Sequence, residues 1–90
     1  MPRVEIEEFS DKDISRIYIA GTIEEAERAE ALLSENGISF AVQIEEFMGP
    51  GLLTSSLKHG WSFYVVSGQA DFSRRLFLQN GLETGLIDDD

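Results

Sequence analysis

The stretch IYIAGTIEEAERAEALLSENGI, residues 17–38, decides the fold. Ile17, Tyr18, Ile19 and Ala20 suit a short, half-buried strand. Gly21 ends it, and Thr22 stands where a hydroxyl caps a helix, with Glu25 at capping-box spacing. Glu24 and Glu25 bring negative charge to the first turn, where the helix dipole favours it. Ala26, Ala29, Leu32 and Leu33 make one apolar stripe, and Glu27, Arg28, Glu30 and Glu35 cover the other sides. Asn36-Gly37 stops the helix, because glycine takes the left-handed conformation of a C-terminal cap. Ile38 opens the next strand.

Beyond this unit, Ile38, Phe40, Val42 and Ile44 alternate with Ser39, Ala41 and Gln43, the period of a strand with one face in the core. Residues 46–60 read as one long irregular segment, broken by Gly49-Pro50-Gly51 yet carrying Leu52, Leu53 and Leu57. A connection this long between strands is functional, mobile, or folded over something. Mobility, or order borrowed from a neighbouring chain, is expected over residues 48–58. A third strand covers 61–66, with Trp61, Phe63 and Val65 on one face and Ser62, Tyr64 and Val66 on the other. Ser67-Gly68 turns the chain, a second helix runs over 69–80, and Gly81 stops it. A weaker fourth strand is expected over 82–87, where Gly85 signals a bulge or a close contact.

The two halves align on Asn36-Gly37 and Asn80-Gly81. Ala26, Ala29, Leu32 and Leu33 then fall on Ala70, Ser73, Leu76 and Phe77. Two βαβ units in tandem predict an α+β, ferredoxin-like βαββαβ two-layer sandwich. Its antiparallel sheet would have the order 4-1-3-2, with both helices on one face. The opposite face would carry Tyr18, Ala20, Ala41, Gln43, Tyr64 and Val66. The domain would span 15–87, between an acidic arm or edge strand at 1–14 and an acidic tail at 88–90. The near-repeat of VEIEEF (4–9) as VQIEEF (42–47) is too short to be assigned a role.

Ninety residues, 17 acidic against 7 basic, carry a formal charge of −10. That balance opposes nucleic acid and anionic membranes and favours solubility at neutral pH. There is no cysteine, so disulfides, thiolate metal sites and cysteine nucleophiles are excluded. Neither a secretory signal nor a run of transmembrane length is present, and a cytoplasmic location is expected.

Candidate chemistry is sparse. His59, beside Lys58, is the one histidine and could act as a base or bind an anion, but a lone loop histidine is more often solvated. Glu45 and Glu46 are adjacent, so on a strand they point to opposite faces and cannot serve one metal ion. Asp88, Asp89 and Asp90 lack the spaced ligands of a calcium loop. Thr54, Ser55 and Ser56 have no histidine–carboxylate pairing, and Gly49-Pro50-Gly51 has no phosphate-loop lysine. No catalytic residue, metal ligand or cofactor is assigned.

EAERAEALLSENGI, residues 25–38, resembles the first helix of a small prokaryotic family described as signal-transducing proteins, a domain of unknown function. Glu25, Ala26, Glu27, Leu32, Leu33, Gly37 and Ile38 carry the resemblance; residues 63–66 and 70–78 follow the family's later pattern loosely. The resemblance implies a ferredoxin-like fold similar to that of nitrogen-regulatory signalling proteins, and it brings no catalytic residues. The basic residues that would bind phosphate in a nucleotide-sensing regulator are missing.

The expected function is a non-enzymatic regulatory or interaction module that binds a protein or small ligand through 46–60 or the open sheet face. The alternatives are a small hydrolase or isomerase using His59, and an acidic metal-binding protein. Tyr18, Ala41, Tyr64, Val66, Leu52, Leu53, Leu57 and His59 are the contact candidates. A homodimer or small homo-oligomer on the open face is expected, because that face is less polar than antiparallel sheets usually show to water. The alternative cover is the arm, through Val4, Ile6 and Phe9.

Overall fold

A computed structural model describes residues 3–48 and 57–87, with the backbone alone for 46–48 and 57–59. Three strands make the sheet: β1 (Ile14–Ala20), β2 (Ala41–Met48) and β3 (Leu57–Val66). Their order is β1-β3-β2, and both pairings are antiparallel. Helices α1 (Ile23–Glu35) and α2 (Ala70–Gln79) share one face of this sheet with the main core. Short 3-10 helices lie at Ile6–Phe9 and Ser67–Gln69.

The helices follow their sequence signals. Thr22 Oγ1 accepts the Glu25 N–H at 3.1 Å. Gly37 and Gly81 both end helices at positive φ, 67° and 83°, as αL caps require. Ala26, Ala29 and Leu33 are buried from α1, and Ala70, Ser73 and Phe77 from α2. Leu32 and Leu76 are partly buried against the same core. The two stripes thus match position by position.

The four-stranded 4-1-3-2 ferredoxin-like sheet is not formed. Residues 82–87 contribute a single antiparallel bridge, Tyr18 with Leu86, in place of a strand. The Leu82 N–H is spent on the α2 cap, donating to the Phe77 carbonyl at 2.9 Å. A turn follows, with the Leu86 N–H on the Glu83 carbonyl at 3.1 Å. Only residues 85–87 remain to reach β1. Ile19 N–H donates to the Gly85 carbonyl, and Ile87 N–H to the Ile17 carbonyl, each at 2.9 Å.

β1 also departs from the regular strand expected. Arg16 pairs with Tyr64 and Tyr18 with Phe63, which leaves Ile17 as the extra residue of a β-bulge. A one-residue slip exchanges the two faces of everything beyond it. Tyr18 and Ala20 therefore lie in the core, each 0% exposed, and not on the open face. The Tyr18 ring meets Phe77 edge-on, centroids 5.2 Å apart.

Residues 46–60 also differ from the irregular segment expected. Glu46 to Met48 and Leu57 to Gly60 continue the ladder, with Glu46 opposite His59 and Met48 opposite Leu57. β2 and β3 thus form one long hairpin. Leu52, Leu53, the rest of 49–56 and the 88–90 tail lie outside the described residues.

Candidate functional site

With the bulge in place, the open face carries Arg16 and Ile19 on β1, Ser62 and Tyr64 on β3, and Ala41, Gln43 and Glu45 on β2. Glu45 is the hub. Its carboxylate accepts from the Ser62 hydroxyl at 2.5 Å, the Tyr64 hydroxyl at 3.1 Å and the Arg16 guanidinium at 3.1 Å. Arg16 reaches it from β1 across the central strand. The Ser62 hydroxyl, seconded by Tyr64 and Arg16, holds Glu45 below the usual carboxylate range despite its burial. Burial, then the neighbouring Glu45 charge, pushes Tyr64 up.

This network is closed, and its cation and its acid are matched. It offers neither a spare base nor an unpaired cation for substrate. Its role is to fix the three strands at the start of the hairpin. Glu45→Ala is expected to cost about 2 kcal/mol, because it strands Arg16 and the buried Ser62 hydroxyl. Glu45 adds its full stability above its ordinary pKa of 4.5 and loses it as pH falls through the lowered value. Urea titrations across that range should show Glu45→Gln with a flatter acid limb than the parent; parallel limbs would contradict the assignment.

Tyr18 serves the helix. Its hydroxyl donates to the Glu25 carboxylate, whose other oxygen accepts the Gly21 N–H at 3.0 Å. Glu25 therefore closes the turn before α1 and does not reach back to the N-cap N–H as a capping box would. Burial, with Glu25 adding to it, pushes the Tyr18 hydroxyl up to about 12.

The Ala41 end of the open face is covered. Ala41 is 0% exposed and Phe9 5%, yet neither belongs to the main core cluster. The 3-10 helix Ile6–Phe9 rests against β2. The arm starts at the β2 side, where Arg3 bridges Phe40 in parallel and Val4 N–H donates to the Phe40 carbonyl at 2.8 Å. It then reaches β1 at Ile14, which pairs with Val66. Tyr64 and Val66 are half-buried on this face. Of the contact candidates, then, Tyr18 is in the core and Ala41 lies under the arm. Leu57 and His59 stand in the β3 ladder.

The exposed apolar material lies elsewhere. Ala20, Trp61 and Ile44 form one cross-strand row on the helix side of the sheet. Trp61 packs partly against the core, while Ile44, at its outer end, is 65% exposed. Among the described residues, no strand pairs with the outer edge of β2 beyond Phe40. A shallow groove of about 400 Å³ beside α2, lined by Asn36, Phe72, Arg75, Leu76 and Gln79, is a second exposed feature. The charge hub and the edge leave only faint signals in the sequence: Arg16 immediately ahead of the IYIA run, and Ile44 at the end of an alternating strand.

No group of three His, Asp or Glu side chains converges as a metal site among the described residues. Nor is any helix there long and apolar enough to cross a membrane. Comparison with protein-family models, with curated proteins and with solved structures finds no match.

Proposed function

We propose that this chain is a non-enzymatic interaction module of the cytoplasm, in the regulatory class that its first helix resembles. Its contact surface is the outer edge of β2, and its partner is a protein segment that adds a strand there. The edge of β2 carries this reading. Edge strands are normally blunted by charged side chains, lysine above all, and by proline, a bulge or a short length. β2 reads AVQIEEFM over eight residues, has no proline or lysine, pairs with β3 without a register shift, and has the charge of Glu45 drawn back to Arg16. Such an edge supplies backbone hydrogen bonds for affinity and alternate side chains for specificity.

The enzyme alternative rests on His59, and the Arg16–Glu45–Ser62–Tyr64 network of the open face adds no free base to it. A photoreactive side chain placed at position 44 tests the proposal in cells. Adducts should form at 44 and be absent at position 27, on the exposed side of α1. Equal labelling at the two positions, or none at 44, would refute it.

A further inference from the structure

The Phe40 carbonyl faces outward, since it accepts from the arm. Backbone groups alternate sides along a strand, so Val42, Ile44 and Glu46 present theirs outward as well. We infer that, on the edge reading above, the occupant is β2 of a second copy, antiparallel, with the two-fold axis at Ile44. Val42 then lies opposite Glu46 of the second copy, Ile44 opposite Ile44, and Glu46 opposite Val42. Each of these pairs exchanges two hydrogen bonds, because both members face outward.

The two neighbouring registers fail for separate reasons. An axis at Glu45 sets that carboxylate directly against its own copy, which is destabilising. An axis at Gln43 keeps only the two Val42–Ile44 pairs, because Phe40, which would lie opposite Glu46, has its carbonyl taken by Val4; the Ile44 register meets Phe40 only at Met48, beyond its three outward pairs. The Ile44 register instead sets Gln43 against Glu45. It also joins the two Ala20–Trp61–Ile44 rows into one apolar row across a continuous sheet. Ile44, the most exposed large apolar residue described, becomes its centre. An interface whose one patch meets itself is the usual form of a two-fold dimer. The charge of −10 on each copy opposes it, so salt, which screens that repulsion, should strengthen it.

The cysteine-free sequence makes the register directly testable. Hydrogen-bonded antiparallel pairs hold their Cα atoms about 5.5 Å apart, within disulfide reach. Under mild oxidation Ile44→Cys should give a disulfide-linked dimer in high yield, while Gln43→Cys alone and Glu45→Cys alone stay monomeric. By light scattering, the unmodified chain should dimerise at high micromolar concentration, more so in salt. Ile44→Lys should remain monomeric with an unchanged circular dichroism spectrum. Equal cross-linking at 43 and 44, or a parent chain monomeric at high micromolar concentration in salt, would overturn the dimer. Adducts at position 44 solely with other proteins would also reject the second copy while leaving the edge as a docking strand.

Discussion

Phe77→Ala should remove about 4 kcal/mol of stability, the loss typical of a buried phenylalanine cut to alanine. Phe77 is fully buried, faces the core from α2, and packs its ring against the edge of Tyr18. The truncation leaves a cavity between helix and sheet that neither can close. Its backbone carbonyl also receives Leu82, so the helix end and the chain returning to β1 rest on the same residue. Domains of this size hold only about 5–15 kcal/mol in all. The variant should therefore melt far below the parent or not fold at body temperature. Phe72→Ala, on the same helix but 45% exposed, is the control and should change stability by about 0.5 kcal/mol or less. Urea titrations that rank the two variants equally would contradict the packing described.

Gly85→Ala should cost about 3 kcal/mol, at the upper end of overpacking penalties. An added Cβ would sit 1.9 Å from the Ile19 carbonyl oxygen and 2.9 Å from its carbon. Both are backbone atoms of a paired strand, so neither can swing aside. The Tyr18 ring, 3.1 Å away, closes the remaining side. The way out is to lift residues 85–87 off β1, which breaks the bonds to Ile19 and Ile17. Amide exchange at Ile19 should then accelerate together with the loss in melting temperature. At Gly68 an added Cβ meets nothing within 4 Å, and Gly68→Ala should be close to neutral. If both alanine variants melt together, the C-terminal segment is not seated on β1 as described.

The helices could be read from the sequence because their signals are local. A capping threonine, an apolar stripe and an Asn-Gly stop lie within a few turns of one another, and the same set recurs at Ala70, Ser73, Phe77 and Gly81. The face of β1 could not be read, for a specific reason. In Ile17, Tyr18, Ile19 and Ala20 every residue tolerates burial, so alternation has no phase there. A bulge at Ile17 fits the composition as well as a regular strand does. Arg16 is the sole phase marker, and its partner Glu45 lies two strands away and 29 residues on. The fourth strand failed for a related reason. Leu82 and Leu86 are apolar enough for a strand, but the first is used by the helix cap and only the second reaches β1. Over residues 46–48 and 57–60 the sequence shows no apolar alternation that would mark a strand, yet the backbone ladder continues through them. The open face looked apolar only while Tyr18 was placed on it. With Tyr18 withdrawn and Ala41 under the arm, the Arg16–Glu45–Ser62–Tyr64 network becomes the main feature of that face, beside the half-buried Ile19 and Val66.

The free outer edge of β2 is tested most directly by amide exchange, residue by residue, at two protein concentrations. At high dilution Ala41, Gln43 and Glu45, which face β3, should exchange slowly, while Val42 and Ile44 exchange fast. At high concentration Val42 and Ile44 should slow towards the values of their neighbours, as the edge acquires its partner. Val42 and Ile44 as well protected at dilution as Gln43 and Glu45 would mean that the chain covers its own edge, and would contradict the account.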